Sequence, residues 1–283
     1  MNTLTLLMAL MLGLLTVPGE ENSSLAKENG YVINLDRAEK LEKMTYSSLF
    51  SKAGIIVLED TDESLLGKVD KLEVCDNNLY VLEKGRGLFL FNKQGKFIKM
   101  IGRQGKGPGE YIDPDDISID RENKKIYVLD SQTQNVLKYS GNGTFESSFK
   151  LENKGTRSTF IQPFKNALYT NLYTFDKSGK RFLLSKVDVT NGKRISFQFE
   201  ASQYNKGWNE LFSTNQHTFI SGPTGNPKFM QIFMDTIFEI TPKGIKPYIT
   251  LQSKKLVTKE YLETLIAEND MSKSAECQKY TID

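Results

Sequence analysis

A glycine-rich stretch at residues 101–116, IGRQGKGPGEYIDPDD, is the first part of the sequence whose residue types could do chemistry. Closely spaced glycines can wrap a backbone around a phosphate, so two nucleotide-binding patterns must be compared with it. A Walker loop needs Gly-Lys-Ser/Thr, but Gly107 is followed by Pro108 and Gly109. The dinucleotide pattern GxGxxG also fails, because its spacing is broken and a strand pattern follows instead of a helix. The stretch therefore indicates a sharp connection between strands and not a phosphate site.

Glycine and proline have separate tasks in such a connection. Glycine adopts positive φ at little steric cost, and proline restricts its own φ to one region. We therefore expect positive φ at Gly102, Gly105, Gly107 and Gly109, with Pro108 holding the turn.

Three carboxylates follow these glycines: Asp113, Asp115 and Asp116. Calcium prefers such oxygen ligands, although the Asp-x-Asp-x-Asp-Gly loop with its late glutamate is missing. Capping of turns by aspartate side chains explains the same residues without an ion. Calcium stays an open alternative, and no other cofactor is expected.

Histidine and cysteine are too sparse to indicate a known catalytic arrangement. His217, the sole histidine, could act as a general base, but no GxSxG elbow or second histidine accompanies it. A loop or strand-edge role is favoured, and no catalytic residue is predicted. Cys75 and Cys277 lie far apart without a CxxC pattern, which excludes a zinc ribbon or a disulfide framework by spacing.

Charge and composition indicate a globular protein that does not bind nucleic acid. The chain has 37 basic and 35 acidic residues, a net charge of +2, and the two signs are interspersed. A hydrophobic content of 39% is enough to bury a core.

An uncharged apolar run occupies residues 4–17 and is followed by Pro-Gly-Glu-Glu. As a helix it would span roughly 21 Å, less than the hydrocarbon core of about 30 Å. We therefore predict a signal peptide at residues 1–19 and no stable membrane span beyond it, although no basic residue precedes the run and a buried start is the alternative. Export to the periplasm, cell envelope or exterior follows, and no cysteine after the run marks a lipid attachment point.

A repeat with a period of about 47 residues gives the elements that must position these residues. The segment YVL at residues 80–82 recurs at residues 127–129, each followed by an acidic residue, an apolar strand and a turn glycine, Gly95 or Gly143. Each repeat contains about four short apolar runs separated by turn residues. Such sheets bury both faces only by stacking around an axis, which predicts an all-β propeller of four-stranded blades. One helix is expected from Thr258, its N-cap, to residue 269.

The two best-defined segments, GKGPGEY at residues 105–111 and residues 126–145, resemble NHL-type repeats. They are more closely similar to the six-bladed β-propeller family common in Bacteroidota, and residues 31–35 and 55–67 look like the segment with which that family begins. The resemblance implies that the connections between blades lie on one face. It makes the following residues of those connections candidates for contact with a partner: Arg103, Glu110, Tyr111 and Asp115.

Six blades of this length would need roughly 270 residues, and about four fit after Gly67. We therefore expect an incomplete ring, an open arc with two exposed edges. The predicted organisation is a signal peptide at 1–19, a connecting segment with one strand at 20–68, four blades at 69–114, 115–163, 164–207 and 208–251, and a helix-containing tail at 252–283.

The function expected from these observations is an exported, non-enzymatic scaffold that binds a protein, peptide or glycan through loops on one face. Two alternatives stay open. One is a propeller hydrolase or lyase with a divalent metal on its axis, and the other is a nonfunctional truncated gene product.

Overall fold

The computed structural model describes residues 30–39, 43–174, 179–208, 218–222 and 225–268. The predicted signal peptide and His217 lie outside this described part of the chain. Within it, four blades of antiparallel strands follow one another along the sequence. Each blade contains four strands in chain order, and a fifth strand pairs in parallel with the last blade. This arrangement confirms the predicted all-β propeller with four blades.

Blades 1 and 2 contain the repeat that the sequence shows most clearly. An initial strand, β1, spans Tyr31–Asn34 and belongs to neither blade. Blade 1 consists of β2 (Lys71–Cys75), β3 (Asn78–Glu83), β4 (Gly87–Asn92) and β5 (Phe97–Ile101). The connection to the next blade carries two short strands, β6 (Arg103–Gln104) and β7 (Glu110–Tyr111). Blade 2 consists of β8 (Pro114–Asp120), β9 (Lys125–Asp130), β10 (Asn135–Ser140) and β11 (Phe145–Lys150).

Blades 3 and 4 repeat the same antiparallel order with more irregular connections. Outside the blades, β12 (Thr156–Arg157) pairs with β15 (Tyr173–Thr174). Blade 3 consists of β13 (Ile161–Phe164), β14 (Ala167–Asn171), β16 (Phe182–Asp188) and β17 (Arg194–Glu200). Blade 4 consists of β18 (Phe219–Ile220), β19 (Lys228–Phe229), β20 (Thr236–Thr241) and β21 (Gly244–Gln252).

Short helices lie outside the sheets: α1 (Tyr46–Leu49), α2 (Ala201–Tyr204) and α3 (Lys259–Glu268). The predicted C-terminal helix is confirmed as α3. Thr258 caps it, because the Thr258 side-chain oxygen accepts the N–H of Tyr261 at 3.3 Å.

The hydrophobic core lies between the blades, as stacking around an axis requires. One cluster joins blades 1 and 2, a second joins blades 2 and 3, and a third joins blades 3 and 4. The innermost strand of blade 2, β8, contacts the innermost strands β2 and β13 on either side. The blades are therefore held by their faces, and each outermost strand keeps one edge away from this core.

Turn glycines let each blade sit closely on the chain before it. Gly95, Gly143 and Gly192 connect the third and fourth strands of blades 1, 2 and 3, and all three have positive φ, between +75° and +85°. A Cβ atom on Gly95 would overlap the carbonyl oxygen of Val57, and one on Gly192 would overlap that of Lys150. Both the backbone conformation and the close approach require glycine at these turns.

Residues 55–59 of the connecting segment contact blade 1 as the end of blade 2 contacts blade 3. The N–H of Glu59 donates to the carbonyl of the turn glycine of blade 1 at 2.7 Å, and Glu59 Oε2 accepts the N–H of Phe97 at 2.8 Å. Glu152, just after β11, repeats both contacts on blade 3, with its turn glycine at 3.0 Å and the N–H of Arg194 at 3.2 Å. Residues 57–59 thus take the place that residues 150–152 take two repeats later.

The first strand of the described chain extends blade 4. β1 pairs in parallel with the outer edge of β21, with Tyr31 opposite Ile249 and Asn34 opposite Gln252. No strand pairing joins blade 4 to blade 1 within the described ranges. The segment from β1 to residue 59 therefore contacts the outer edge of the last blade at one end and the first blade at the other.

Candidate binding groove at the crossing between blades 1 and 2

The glycine-rich stretch forms the crossing between blades 1 and 2, which we call the crossing loop (residues 102–113). Its two short strands, β6 and β7, pair in parallel. Arg103 Nε donates to Glu110 Oε1 at 2.6 Å, and the N–H of Gly107 donates to Glu110 Oε2 at 2.8 Å. The Gly107 N–H and the guanidinium of Arg103 hold the pKa of Glu110 below its usual value. The loop is therefore folded around the Glu110 carboxylate.

Only two of the four glycines adopt the backbone predicted for them. Gly102 and Gly109 have φ of +69° and +75°, but Gly105 and Gly107 do not have positive φ, so that prediction is wrong for these two. A Cβ atom on Gly105 would overlap Oε2 of Glu110, and one on Gly107 would approach the same oxygen at 3.1 Å. The Glu110 carboxylate lies against Gly105, so a larger residue there would have to displace this side chain, and Gly107 is in tight contact with the same group.

Tyr111 is a core residue of the crossing loop. Its side chain is 1% exposed, its hydroxyl donates to the carbonyl of Ile101 at 3.0 Å, and the N–H of Leu88 donates to it at 3.2 Å. Burial raises the pKa of this phenol. Tyr111 therefore fastens the loop to blade 1 and offers no surface to a partner in this structure.

The three aspartates after the loop have different partners. Asp113 accepts the N–H of Gly85 at 3.2 Å, and Asp115 accepts both the N–H and the hydroxyl of Ser131. Asp116 lies elsewhere, at the propeller axis. No group of three histidine, cysteine, aspartate or glutamate residues that could hold a metal occurs in the described ranges. Asp113 and Asp115 therefore bond to groups of other turns, at Gly85 and Ser131, and not to the backbone of their own turn.

The axis itself is occupied by paired charges. Asp116 Oδ1 accepts from Lys71 Nζ at 2.7 Å, and Glu73 Oε2 lies 3.2 Å from Arg121 Nη2. Burial alone would lower the pKa of Lys71, but the neighbouring Asp116 and Glu73 raise it instead. Burial raises the pKa of Glu73, although Lys71 and Arg121 oppose the shift. The axial carboxylates of blades 1 and 2 thus have protein cations as partners.

A groove of ≈ 700 Å³ lies between the crossing loop and blade 2, and we call it the crossing groove. Ser147 and Ser148 are consecutive residues of β11, so their side chains point to opposite faces of the strand, yet both line the groove. The groove therefore reaches the outer edge of the strand, which has no hydrogen-bonded neighbour within the described ranges. The remaining lining residues are Gly105, Lys106, Gly107, Pro108, Glu110, Ile112, Asp130, Thr133, Asn135, Phe145 and Lys150.

The exposed charges of the crossing groove are positive. Lys106 and Lys150 are exposed and form no ion pair with another described residue. The two acidic groups are engaged: Asp130 accepts the N–H groups of Ile112 at 2.8 Å and Thr133 at 3.0 Å, and Glu110 is held within the crossing loop. The crossing groove can therefore attract negatively charged side chains.

The four residues predicted to contact a partner do not form one surface. Arg103 and Glu110 are joined to each other at the crossing loop, Asp115 is bound to Ser131, and Tyr111 is buried. Of the four, only Glu110 lines the crossing groove. The sequence analysis did not include β11 in the candidate site. Its pattern FESSFK, polar at four of six positions, is typical of an outermost strand and could have indicated it.

In the described part of the chain, none of the helices has the length and apolar character needed to cross a membrane.

The fold is shared with a protein of known structure. The chain is similar to a putative exported protein from Bacteroides fragilis, with 22% identity, a TM-score of 0.54 and an alignment over 70% of this chain and 55% of that one. It is more distantly similar to a streptogramin B lyase, with 20% identity, a TM-score of 0.43 and coverage of 65% and 55%. The chain thus spans about half the length of these two proteins.

A comparison with curated proteins gave no match. A family profile, in contrast, matches residues 30–282, nearly the whole chain. The chain therefore belongs to the family described as Domain of unknown function (DUF4934).

Proposed function

We propose that this protein is an exported binding module whose crossing groove holds an extended, acidic segment of another polypeptide. The observation that carries the proposal is the position of the groove. It ends at the outer edge of β11, with which no other described strand pairs, beside two lysines that form no ion pair with a described residue. Open strand edges bind extended peptides through backbone hydrogen bonds, and side-chain pockets next to the edge supply specificity.

The propeller already shows strand addition to an outer edge. β1 extends blade 4 along β21 in this way, and β11 holds the corresponding outermost position in blade 2. A peptide on β11 would therefore repeat, in blade 2, an arrangement that the chain makes with its own N-terminal segment in blade 4.

Charge selects the kind of peptide. Lys106 and Lys150 are on the two sides of the groove, one from the crossing loop and one from β11. An extended segment carrying aspartate or glutamate would place a carboxylate near either lysine while its backbone pairs with the strand. The predicted partner is therefore an acidic peptide segment, in preference to a glycan or a neutral peptide.

Export is supported by the sequence of the first residues. The apolar run at residues 4–17 has the length of a signal peptide. The B. fragilis protein of similar fold is described as a putative exported protein. We include export in the proposal because an exported binding module would meet other proteins of the envelope or exterior.

The proposal is tested with a display library of linear peptides selected on the purified protein, followed by affinity measurement of the enriched peptides. Ser148→Trp should fill the groove without adding charge and weaken binding at least about tenfold, which corresponds to about 1.4 kcal/mol. Ser196→Trp is the control, because Ser196 lies in β17, the outermost strand of blade 3, outside the groove.

We expect the enriched peptides to contain acidic residues, to lose affinity on Lys106→Glu/Lys150→Glu, and to tolerate Ser196→Trp. Peptides that bind the Ser148→Trp variant equally well would contradict the proposed site. Failure of the library to yield any binder, or binding of glycans alone, would contradict the proposed partner class.

A further inference from the structure

Blade 3 departs from the repeat at two paired positions in its interior. In blade 1 the pair is Val81 opposite Phe89, and in blade 2 it is Val128 opposite Leu137. The strand register places Thr170 opposite Ser185 at the corresponding site of blade 3. Two hydroxyls therefore replace an apolar pair that the other two blades bury.

The outermost strand of blade 3, β17, also departs from the repeat, at a position close to this pair. Phe97 and Phe145 are the first residues of the outermost strands of blades 1 and 2, where they follow a bulge in the strand pairing. Arg194 has this position in blade 3, after the equivalent bulge. A guanidinium thus replaces an aromatic ring, and it occurs together with the exchange of the two inner residues.

Arg194 is turned inward and is held by neutral oxygens. Its Nη1 donates to the hydroxyls of Thr170 at 3.0 Å and Ser185 at 2.5 Å, and its Nη2 donates to that of Ser158 at 3.4 Å. Its Nε donates to the carbonyl of Glu152 at 3.0 Å. Burial lowers the pKa of this group, an effect that the charge of Glu152 only partly opposes.

This cation has no direct carboxylate partner within the described ranges, since the Glu152 side chain pairs with Lys154 at 2.7 Å. A partly buried charge without a direct counter-ion destabilises a fold. An apolar residue of the kind found in blades 1 and 2 would avoid this cost. The polar set is therefore better explained by binding than by folding.

A cavity of ≈ 230 Å³ lies beside this guanidinium. Its apolar wall includes Leu172, Phe182 and Phe197, and Arg194 forms part of its polar wall. Thr156 also lines the cavity, and its buried hydroxyl oxygen has no hydrogen-bond partner among the residues that the structure describes. Glu152, whose charge acts on Arg194 without a direct side-chain contact, also lines the cavity. The cavity therefore combines a cation without a direct carboxylate contact among the described residues, the unused hydroxyl of Thr156 and an apolar side.

We propose that this cavity of blade 3 binds a small organic monocarboxylate with an apolar body, whose carboxylate contacts Arg194 and whose body lies against Phe182 and Phe197. The site is separate from the crossing groove and does not depend on the function proposed for it.

Charge count and size select this class of ligand. The other two basic residues of the cavity, Lys154 and Lys180, are paired with Glu152 at 2.7 Å and Glu200 at 3.0 Å. One positive charge then remains, which matches a singly charged ligand better than a phosphate. The volume lies below the usual range for drug-sized ligands of about 300–1,000 Å³, which restricts the ligand to a few carbon atoms or one ring.

The experiment measures binding of benzoate and hexanoate by calorimetry and by the shift in melting temperature, with benzamide as the neutral analogue of benzoate. Arg194→Met removes the charge. A second variant, Thr170→Val/Ser185→Leu/Arg194→Phe, gives blade 3 the residue types of the other blades, so it should stay folded even if Arg194→Met does not. Lys124→Gln is the control, because Lys124 is an exposed lysine of blade 2.

We expect benzoate or hexanoate to bind the wild-type protein and Lys124→Gln equally, and at least about tenfold more weakly to either Arg194 variant, the loss of one charge-assisted contact. Benzamide should bind at least about tenfold more weakly than benzoate. Equal binding of benzamide, equal binding by the triple variant, or no binding of either acid at millimolar concentration would overturn the proposal.

Discussion

Lys71 and Asp116 join the innermost strands of blades 1 and 2 through an ion pair of 2.7 Å, in which Asp116 is fully buried. The second oxygen of the same carboxylate accepts the N–H of Ile161 in blade 3 at 2.8 Å. The Asp116 side chain thus connects three blades at the axis. Because its negative charge is buried, it depends on Lys71 and on the Ile161 N–H for compensation.

Removing one partner of this pair should destabilise the fold strongly. We expect Lys71→Met or Asp116→Asn to lower the free energy of unfolding by about 3 kcal/mol, because each leaves the other charge buried without its main partner. Replacing both residues, as Lys71→Met/Asp116→Asn, should cost less than the sum of the single changes. A double-mutant cycle from urea unfolding measures this coupling, and additive effects would show that the pair does not contribute.

The buried tyrosines should make the fold sensitive to alkali. Burial raises the pKa of Tyr127 to about 12, and Asp120 and Glu146 add to the shift. The unfolded chain releases this proton near pH 10, so the folded state holds more protons between pH 10 and 12 and its stability falls as pH rises through that window. The contribution is fully present below pH 10.

Tyr127→Phe should therefore weaken the loss of stability above pH 10 by up to about 1.4 kcal/mol per pH unit. Urea unfolding at a series of pH values gives the slope. Tyr46→Phe is the control, because Tyr46 is exposed. An identical slope for wild type and Tyr127→Phe would contradict the assignment.

Two turn glycines allow the cost of a left-handed backbone to be measured apart from the cost of a steric overlap. Gly85 and Gly95 have similar φ, +81° and +85°, but a Cβ on Gly85 would meet nothing within 4 Å. Gly85→Ala should therefore cost only the left-handed backbone, about 1–2 kcal/mol. Gly95→Ala should cost clearly more, because its Cβ would overlap the carbonyl of Val57. Equal melting temperatures of the two variants would argue against the close contact of residues 57–59 with blade 1.

The contact of Glu59 with blade 1 gives a further prediction. Glu59→Ala removes an acceptor for the Phe97 N–H, which should cost about 1 kcal/mol and increase amide exchange in residues 55–59. Glu152→Ala tests the equivalent contact on blade 3. Unchanged exchange in residues 55–59 of the Glu59 variant would mean that this side chain does not hold the segment.

Most of what the sequence predicts about the fold comes from the repeat of about 47 residues. The segment YVL and its turn glycine recur because each blade must bury the same faces, so blades 1 and 2 follow directly from the sequence. Blade 3 is less regular, since Thr170, Ser185 and Arg194 stand where apolar residues are expected, and this departure weakened its pattern. The parallel pairing of β1 with β21 joins residues more than 200 positions apart, and no local pattern encodes it.

The candidate site was only partly predictable. The sequence correctly places the crossing loop between two blades, but it predicts positive φ at all four glycines, and only Gly102 and Gly109 have it. Gly105 instead meets the side chain of Glu110, a contact that depends on the folded loop. Tyr111 follows Glu110 in the sequence, and only the structure shows that one lines the groove and the other lies in the core.

Hydrogen exchange on the protein with a bound acidic peptide tests the central claim most directly. If the peptide adds to the open edge, amide protection should increase in β11, residues 145–150, and in the crossing loop, while the outer strand β17 of blade 3 stays unchanged. Protection at the axial strands β2 and β8, without any change in β11, would contradict the account.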